Sequence, residues 1–195
     1  MVSPASQQPI PGVLLRQAEP FDALCLSVLA MQVFLDTYAT EGIRAAIARE
    51  VLSSYSHEEF SKAIGSRGSH IAVAEVKGNM VGFAQVTFGA RHELAPAGTQ
   101  VELLRLYVQE PFTGAKVGTK LLAEAESTAS RSGASVLWLT PWVHNHRALA
   151  FYARRGYKDY GLTYFTFEGE SHENRVLAKL LTVPGAANPL QGLPK

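Results

Sequence analysis

Residues 101–122, VELLRLYVQEPFTGAKVGTKLL, constrain the fold more than any other stretch. They read as a strand over 101–108, a loop with glycines at 114 and 118, and an amphipathic helix. In that helix Val117, Leu121, Leu122, Ala125 and Ala129 form one apolar stripe at helical spacing, and Gly133 predicts its end. A strand that enters a helix through glycines makes an anion site. The first helical turn has backbone N–H groups without intrahelical partners, the helix dipole makes that end positive, and glycine lets a ligand approach the backbone. The common nucleotide motifs do not account for it: five residues past Gly114 stands Thr119, not the glycine of a P-loop, and no G-x-G-x-x-G occurs.

The rest of the chain supplies further strands and helices. Residues 13–16 read as a first strand, and Glu19-Pro20 opens a helical stretch to Tyr38, with Leu24, Val28 and Met31 as its apolar stripe. Residues 41–52 and 58–64 are further helix candidates. The β-rich runs 71–76 and 80–88 flank Lys77-Gly78-Asn79, which predicts a hairpin. Residues 136–139, VLWL, are apolar throughout, as in a strand covered on both faces. Residues 145–155 predict a last helix closed by Gly156, followed by strands at 157–167 and 174–181 around a turn at 169–171. This order predicts an α/β fold with a mixed sheet flanked by helices.

Composition limits the function. The chain has 195 residues, 47% hydrophobic and 18% charged, which suits one well-buried domain. We place that domain at 13–182, between tails at 1–12 and 183–195 that lack apolar periodicity. Eighteen Lys and Arg against seventeen Asp and Glu leave a formal charge of +1, with no basic surplus for nucleic acid. A small ligand is the expectation. One cysteine, Cys25, closes no intrachain disulfide and suits a cytoplasmic setting; nothing near it in sequence activates it, so it is read as packing. Apolar runs are broken before the roughly 18 residues a membrane helix needs, and no membrane span is expected. No spacing of His and Cys suggests a metal; His144 and His146, two apart at a helix start, do not share a face.

The second informative stretch is NHRALAFYARRGY, residues 145–157. Asn145, Ala148 and Tyr152 fall at i, i+3 and i+7, on one helix face. Asn145 is also a good helix N-cap. Together ELLRLYV, TGAKVGTKLL and NHRALAFYARRGY resemble the GNAT superfamily of N-acetyltransferases, and the element order over 13–181 matches that fold.

The resemblance implies a mostly antiparallel sheet of six to seven strands, with acetyl-CoA lying where the strands 101–108 and 136–139 splay apart. The backbone of Leu106, Tyr107 and Val108 would hold the pantetheine arm and acetyl carbonyl. The pyrophosphate would sit on the amides of Thr113, Gly114, Ala115, Lys116, Val117, Gly118 and Thr119. Asn145 would bond the pantetheine, and Tyr152 would protonate the departing thiolate. The phosphate loop departs from the family's pattern, with Thr113 where Arg or Gln is usual and Lys116 where glycine is usual.

An amine acceptor must lose a proton before it attacks, since a free alkyl ammonium has a pKa near ~10.4. Glu102 is the better base, being toward the acceptor end, and Glu110 the weaker. Arg147, Arg154 and Arg155 are read as solvated, with one of them able to reach the 3′-phosphate; Trp138 and Trp142 are read as core or cleft wall. The resemblance implies that the acceptor meets residues 34–66 and 157–173. The helical part, VFLDTYATEGIRAAIAREVL, resembles polyamine acetyltransferases of the superfamily, which implies a small amine such as a polyamine. Asp36, Glu41, Glu50, Glu58 and Glu59 within 34–66 would attract a cationic amine, against Arg44 and Arg49. A non-catalytic acyl-CoA sensor and an acyltransferase for longer chains are the alternatives. An exposed terminal strand suggests a homodimer.

Overall fold

The computed structural model describes residues 12–167 and 170–182, so most of the expected tails lie outside the described residues. The strands are β1 (Leu14–Gln17), β2 (Ser69–Val76), β3 (Asn79–Phe88), β4 (Gln100–Val108), β5 (Val136–Leu139), β6 (Lys158–Phe167) and β7 (Glu170–Leu180). The helices are α1 (Ala23–Tyr38), α2 (Ala45–Ser54), α3 (His57–Gly65), α4 (Val117–Arg131) and α5 (His146–Ala153). Short 3-10 turns at Pro20–Asp22 and Glu110–Phe112 lead toward α1 and α4.

The strands form one sheet in the order β1-β2-β3-β4-β5-β7-β6, with β4 and β5 the parallel pair in an otherwise antiparallel arrangement. One face packs on α4 and α5 through Leu103, Leu121, Leu122, Leu137 and Tyr152. The other packs on α1, α2 and α3 through Leu26, Phe60, Val73 and Phe83. The stripe expected on α4 is its buried face, with Val117, Leu121, Leu122, Ala125 and Ala129 each at most 2% exposed.

Three elements differ from expectation. On α1 the expected stripe is wrong: Leu24 and Val28 are 62% and 60% exposed, whereas Ala23, Leu26, Leu29 and Ala30 are buried. Apolar residues surround this helix, so periodicity does not select a face. Cys25, expected to pack, lies on the exposed side. The 19 residues Pro20–Tyr38 also meet the length and composition of a membrane helix, contrary to the expectation that none would; here the helix contributes Leu26, Leu29 and Ala30 to the core beneath the sheet. Finally, α2 begins at Ala45, after a turn in which Gly42 has φ +110°, and β7 begins at Glu170, where polar residues at 171–174 hide a strand that pairs with β6 from Glu170 to Ala178.

The feature that creates the site is the short β4–β5 pairing. Gln100, Val101 and Glu102 pair with Val136, Leu137 and Trp138, and no further pairs follow. Beyond Leu139 the chain stays with β7: the Arg175 N–H donates to the Pro141 carbonyl at 3.0 Å, and the Val143 N–H to the Glu173 carbonyl at 3.0 Å. One edge of β4 is therefore open from Leu103 to Val108. On its other edge β4 bulges, since Gln85 opposes Arg105 and Val86 opposes Leu103, leaving Leu104 unpaired. The bulge breaks strict alternation, so Glu102 and Arg105, three residues apart, line the same cavity.

Candidate active site

Two cavities meet at the opening between β4 and β5. One, of about 580 Å³, runs from the open edge of β4 to the start of α4 and the flank of α5. The other, of about 890 Å³, lies between the α1–α2 segment, β4 and the β6–β7 hairpin. Tyr38, Leu106, Tyr107, Asn145, Ala148 and Tyr152 border both. The face predicted from Asn145, Ala148 and Tyr152 thus lies at the junction.

The smaller cavity suits an elongated anion. The Gln109 N–H donates to the Val81 carbonyl in β3, so strand alternation turns the backbone groups of Val108 and Leu106 toward the open edge. At the far end Gly114 has φ +79°, a conformation natural to glycine, and Lys116 has φ +66° at the N-cap of α4 with no side-chain cap hydrogen bond. Thr113, Gly114, Lys116, Gly118 and Thr119 line this end. Ala115 and Val117 do not: Val117 is buried in the core and Ala115 packs against it, leaving these two only backbone groups to offer. The close β3–β4 approach depends on Gly82, where an added Cβ would stand 2.7 Å from the Tyr107 carbonyl oxygen.

Lys116, Arg147, Arg154 and Arg155 give the smaller cavity four cations, against Asp36 and Glu110. Arg147 is not merely solvated; its Nη1 donates to the Glu110 carboxylate at 2.7 and 3.0 Å. That ion pair ties Glu110 to the smaller cavity, away from the larger one. Arg155 is more enclosed than expected. Its guanidinium lies 3.6 Å over the Phe151 ring, Nη1 donates to the Phe151 carbonyl, Nη2 donates to Thr119 Oγ1, and Nε is buried with no partner among the described residues. Nothing in the sequence distinguished Arg155 from Arg154; contact with Thr119, 36 residues away, does.

Asn145 caps α5, its Oδ1 accepting from the Ala148 N–H at 3.0 Å, while it borders both cavities. Tyr152 is 6% exposed, and burial raises its phenol well above the ordinary range. Glu102 lines the larger cavity; burial raises its carboxyl, and the nearby charge of Arg105 opposes the rise. Arg105 donates to Gln85 Oε1 at 2.6 Å and to the Ser54 carbonyl at 3.2 Å, with its guanidinium 5.0 Å from the Tyr55 ring centre. The larger cavity also has an aromatic wall: Tyr38 packs at a tilt against Phe34 and Trp142, and the Tyr55 and Tyr107 hydroxyls lie 3.1 Å apart. Trp142 is cleft wall, whereas Trp138 is core. Of the acidic residues expected near an acceptor, Glu41 and Glu50 line this cavity; Asp36 borders the smaller one, and Glu58 and Glu59 border neither. Among the described residues no three His, Cys, Asp or Glu gather in a metal-ligating group.

The sequence profile of the acetyltransferase (GNAT) family matches residues 37–157. The chain belongs to this family. It is 26% identical over 172 residues, 87% of this chain and 98% of the relative, to an uncharacterized N-acetyltransferase of Lactobacillus delbrueckii subsp. lactis. It is 27% identical over 149 residues to the spermidine N(1)-acetyltransferase of Thermoplasma acidophilum, covering 75% of this chain and 89% of the relative. Among solved structures, PaiA N-acetyltransferase from Thermoplasma acidophilum in complex with coenzyme A superposes with a TM-score of 0.72 at 22% identity, covering 87% of this chain and 99% of that one. The chain is an acetyl-CoA-dependent acetyltransferase of the GNAT fold.

Proposed function

We propose that the protein moves an acetyl group from acetyl-CoA to a small primary amine by direct attack within a ternary complex. The observation that carries this reading is the meeting of the two cavities at the open edge of β4, which gives each substrate its own entrance to one junction.

In this reading the backbone of Leu106, Tyr107 and Val108 holds the pantetheine arm, and an N–H of Leu106 or Val108 polarises the acetyl carbonyl as an oxyanion hole does. The amides of residues 113–119 take the pyrophosphate at the positive end of α4, helped by the cations Lys116 and Arg155. Asn145 bonds the pantetheine while it caps α5. On the acceptor side Glu102 is the general base, accepting the ammonium proton directly or through water. The amine nitrogen then attacks the carbonyl, and Tyr152 returns a proton to the departing sulfur. A phenol that resists ionisation is neutral at working pH and so has a proton to give.

The acceptor class we infer is a small amine, with polyamines as first candidates. The carboxylates of Glu41, Glu50 and Glu102 and the aromatic wall of the larger cavity suit an ammonium on an apolar stem. The similarity to a spermidine acetyltransferase points the same way. We further place the enzyme in the cytoplasm, consistent with its lone cysteine, and read the edge strand β6, with Leu162 and Tyr164 exposed, as the contact for a second copy.

Thiol release from acetyl-CoA, measured across polyamines, amino acids, aminoglycosides and basic peptides, tests the acceptor class. Release on polyamines is expected. Tight binding of CoA with no release on any amine would favour a sensor instead.

A further inference from the structure

Of the residues that border both cavities, Tyr38, Tyr107 and Tyr152 carry phenols. They come from different elements: the end of α1, the open end of β4 and the second turn of α5. Tyr107 is committed, with its hydroxyl 3.1 Å from that of Tyr55. The hydroxyls of Tyr38 and Tyr152 have no such partner among the described residues. Neither is a sealed polar atom, a condition that among the described residues belongs to Arg155 Nε. Both therefore open into the junction.

The ring of Tyr38 is well held. Its centre lies 4.6 Å from that of Phe34 and 5.4 Å from that of Trp142, so the hydroxyl has a defined place at the cavity border. The two phenols border the same junction, and burial raises both, Tyr38 up to about 12, so each keeps its proton. Both are thus neutral donors in the same space. The other charged and titratable groups around them are Glu102, Glu41, Glu50, Arg44, Arg105, Tyr55 and His172 in the larger cavity, with Asp36, Glu110, Lys116, Arg147, Arg154 and Arg155 in the smaller one.

We propose that Tyr38 is a second proton donor of the transfer centre, acting alongside Tyr152 on the departing sulfur. The inference rests on the acetyl-transfer reading above. The amine nitrogen bonds the carbonyl carbon, the carbon–sulfur bond breaks, and the thiolate takes a proton from one of the phenols. The ammonium sheds one proton to solvent through Glu102 before attack, and the second proton, lost by nitrogen as the amide forms, passes to that phenolate, so the amide, the thiol and one solvent proton are the products and the enzyme ends unchanged. With two donors in reach, either can cover the loss of the other.

The test uses Tyr38→Phe, Tyr152→Phe and the double variant, which keep both rings and their packing. Each single variant is expected to lower kcat about 3- to 10-fold with KM for acetyl-CoA unchanged. The double variant is expected to fall about 10²- to 10⁴-fold, the range for loss of a general acid, and further than the product of the single effects. A second readout needs no acceptor: the thiol of bound CoA is titrated by its thiolate absorbance. Each phenol that donates to sulfur stabilises the thiolate, so the bound thiol's pKa rises in Tyr38→Phe and rises most in the double variant. A double variant no slower than Tyr152→Phe, multiplicative single effects, or a bound thiol unmoved by Tyr38→Phe would overturn the proposal. Failure of the amine panel would instead contradict the acceptor reading, and the thiol titration would still decide the role of Tyr38.

Discussion

Lys116 holds two opposed properties, and two substitutions separate them. Its backbone is left-handed, φ +66° and ψ +5°, at the N-cap of α4, and its exposed side chain makes no cap hydrogen bond. A left-handed residue other than glycine is strained by about 1–2 kcal/mol. Glycine removes that strain but frees the unfolded chain by roughly 0.5–1 kcal/mol. Lys116→Gly should therefore stabilise the fold by about 0.5–1 kcal/mol, raising Tm by about 1–4 °C for a domain of this size. Lys116→Ala keeps the positive φ and should leave Tm near the native value. Both variants lose the same charge at the phosphate end of the cavity, so both should raise KM for acetyl-CoA several-fold. Thermal melts followed by circular dichroism, with initial rates at saturating amine, check the two parts separately. A Tm lowered by Lys116→Gly would refute the strain argument. An unchanged KM in both variants would refute the role of the charge.

Other outcomes follow from the same geometry. Burial raises the Glu102 carboxyl, so activity should fall with pH from a point above the ordinary glutamate range; Glu102→Gln should lower kcat/KM and abolish that acid limb. Because a raised carboxylate pKa means that the folded state binds the proton more tightly, stability declines as pH rises through that pKa, and Glu102→Gln should melt higher near neutral pH. Gly82→Ala would force a Cβ against the Tyr107 carbonyl at 2.7 Å, with about 1–3 kcal/mol of destabilisation and a Tm lower by about 2–10 °C. Arg155→Ala should raise KM for acetyl-CoA more than Arg154→Ala, since Arg155 is held against Phe151 and Thr119; equal effects would count against the distinction.

How much of this was legible in the sequence depended on whether local pattern or long-range contact decided the outcome. The α4 stripe was legible because its other face is polar; the α1 stripe was not, because Leu24 and Val28 are as apolar as the Leu26 and Leu29 that the sheet covers. The early start of β7 escaped because Ser171, His172, Glu173 and Asn174 have weak strand character and pair through the backbone with β6. At the site, helical spacing put Asn145 and Tyr152 on one face and only the family resemblance gave them roles, whereas the glycine loop stood out by its place before α4. Tyr38 was not, since it stands 114 residues before Tyr152 and only the packing of α1 over the open end of β4 brings them to one junction. The role of Arg105 beside Glu102 was hidden by the bulge at Leu104, without which residues three apart on a strand face opposite ways.

Initial rates of thiol release, with acetyl-CoA and an active amine varied against each other, test direct transfer at the shared junction. Reciprocal plots that intersect are the predicted result, because both substrates must be bound before the acetyl group moves. Parallel plots, or a burst of free CoA before any amine is added, would contradict it.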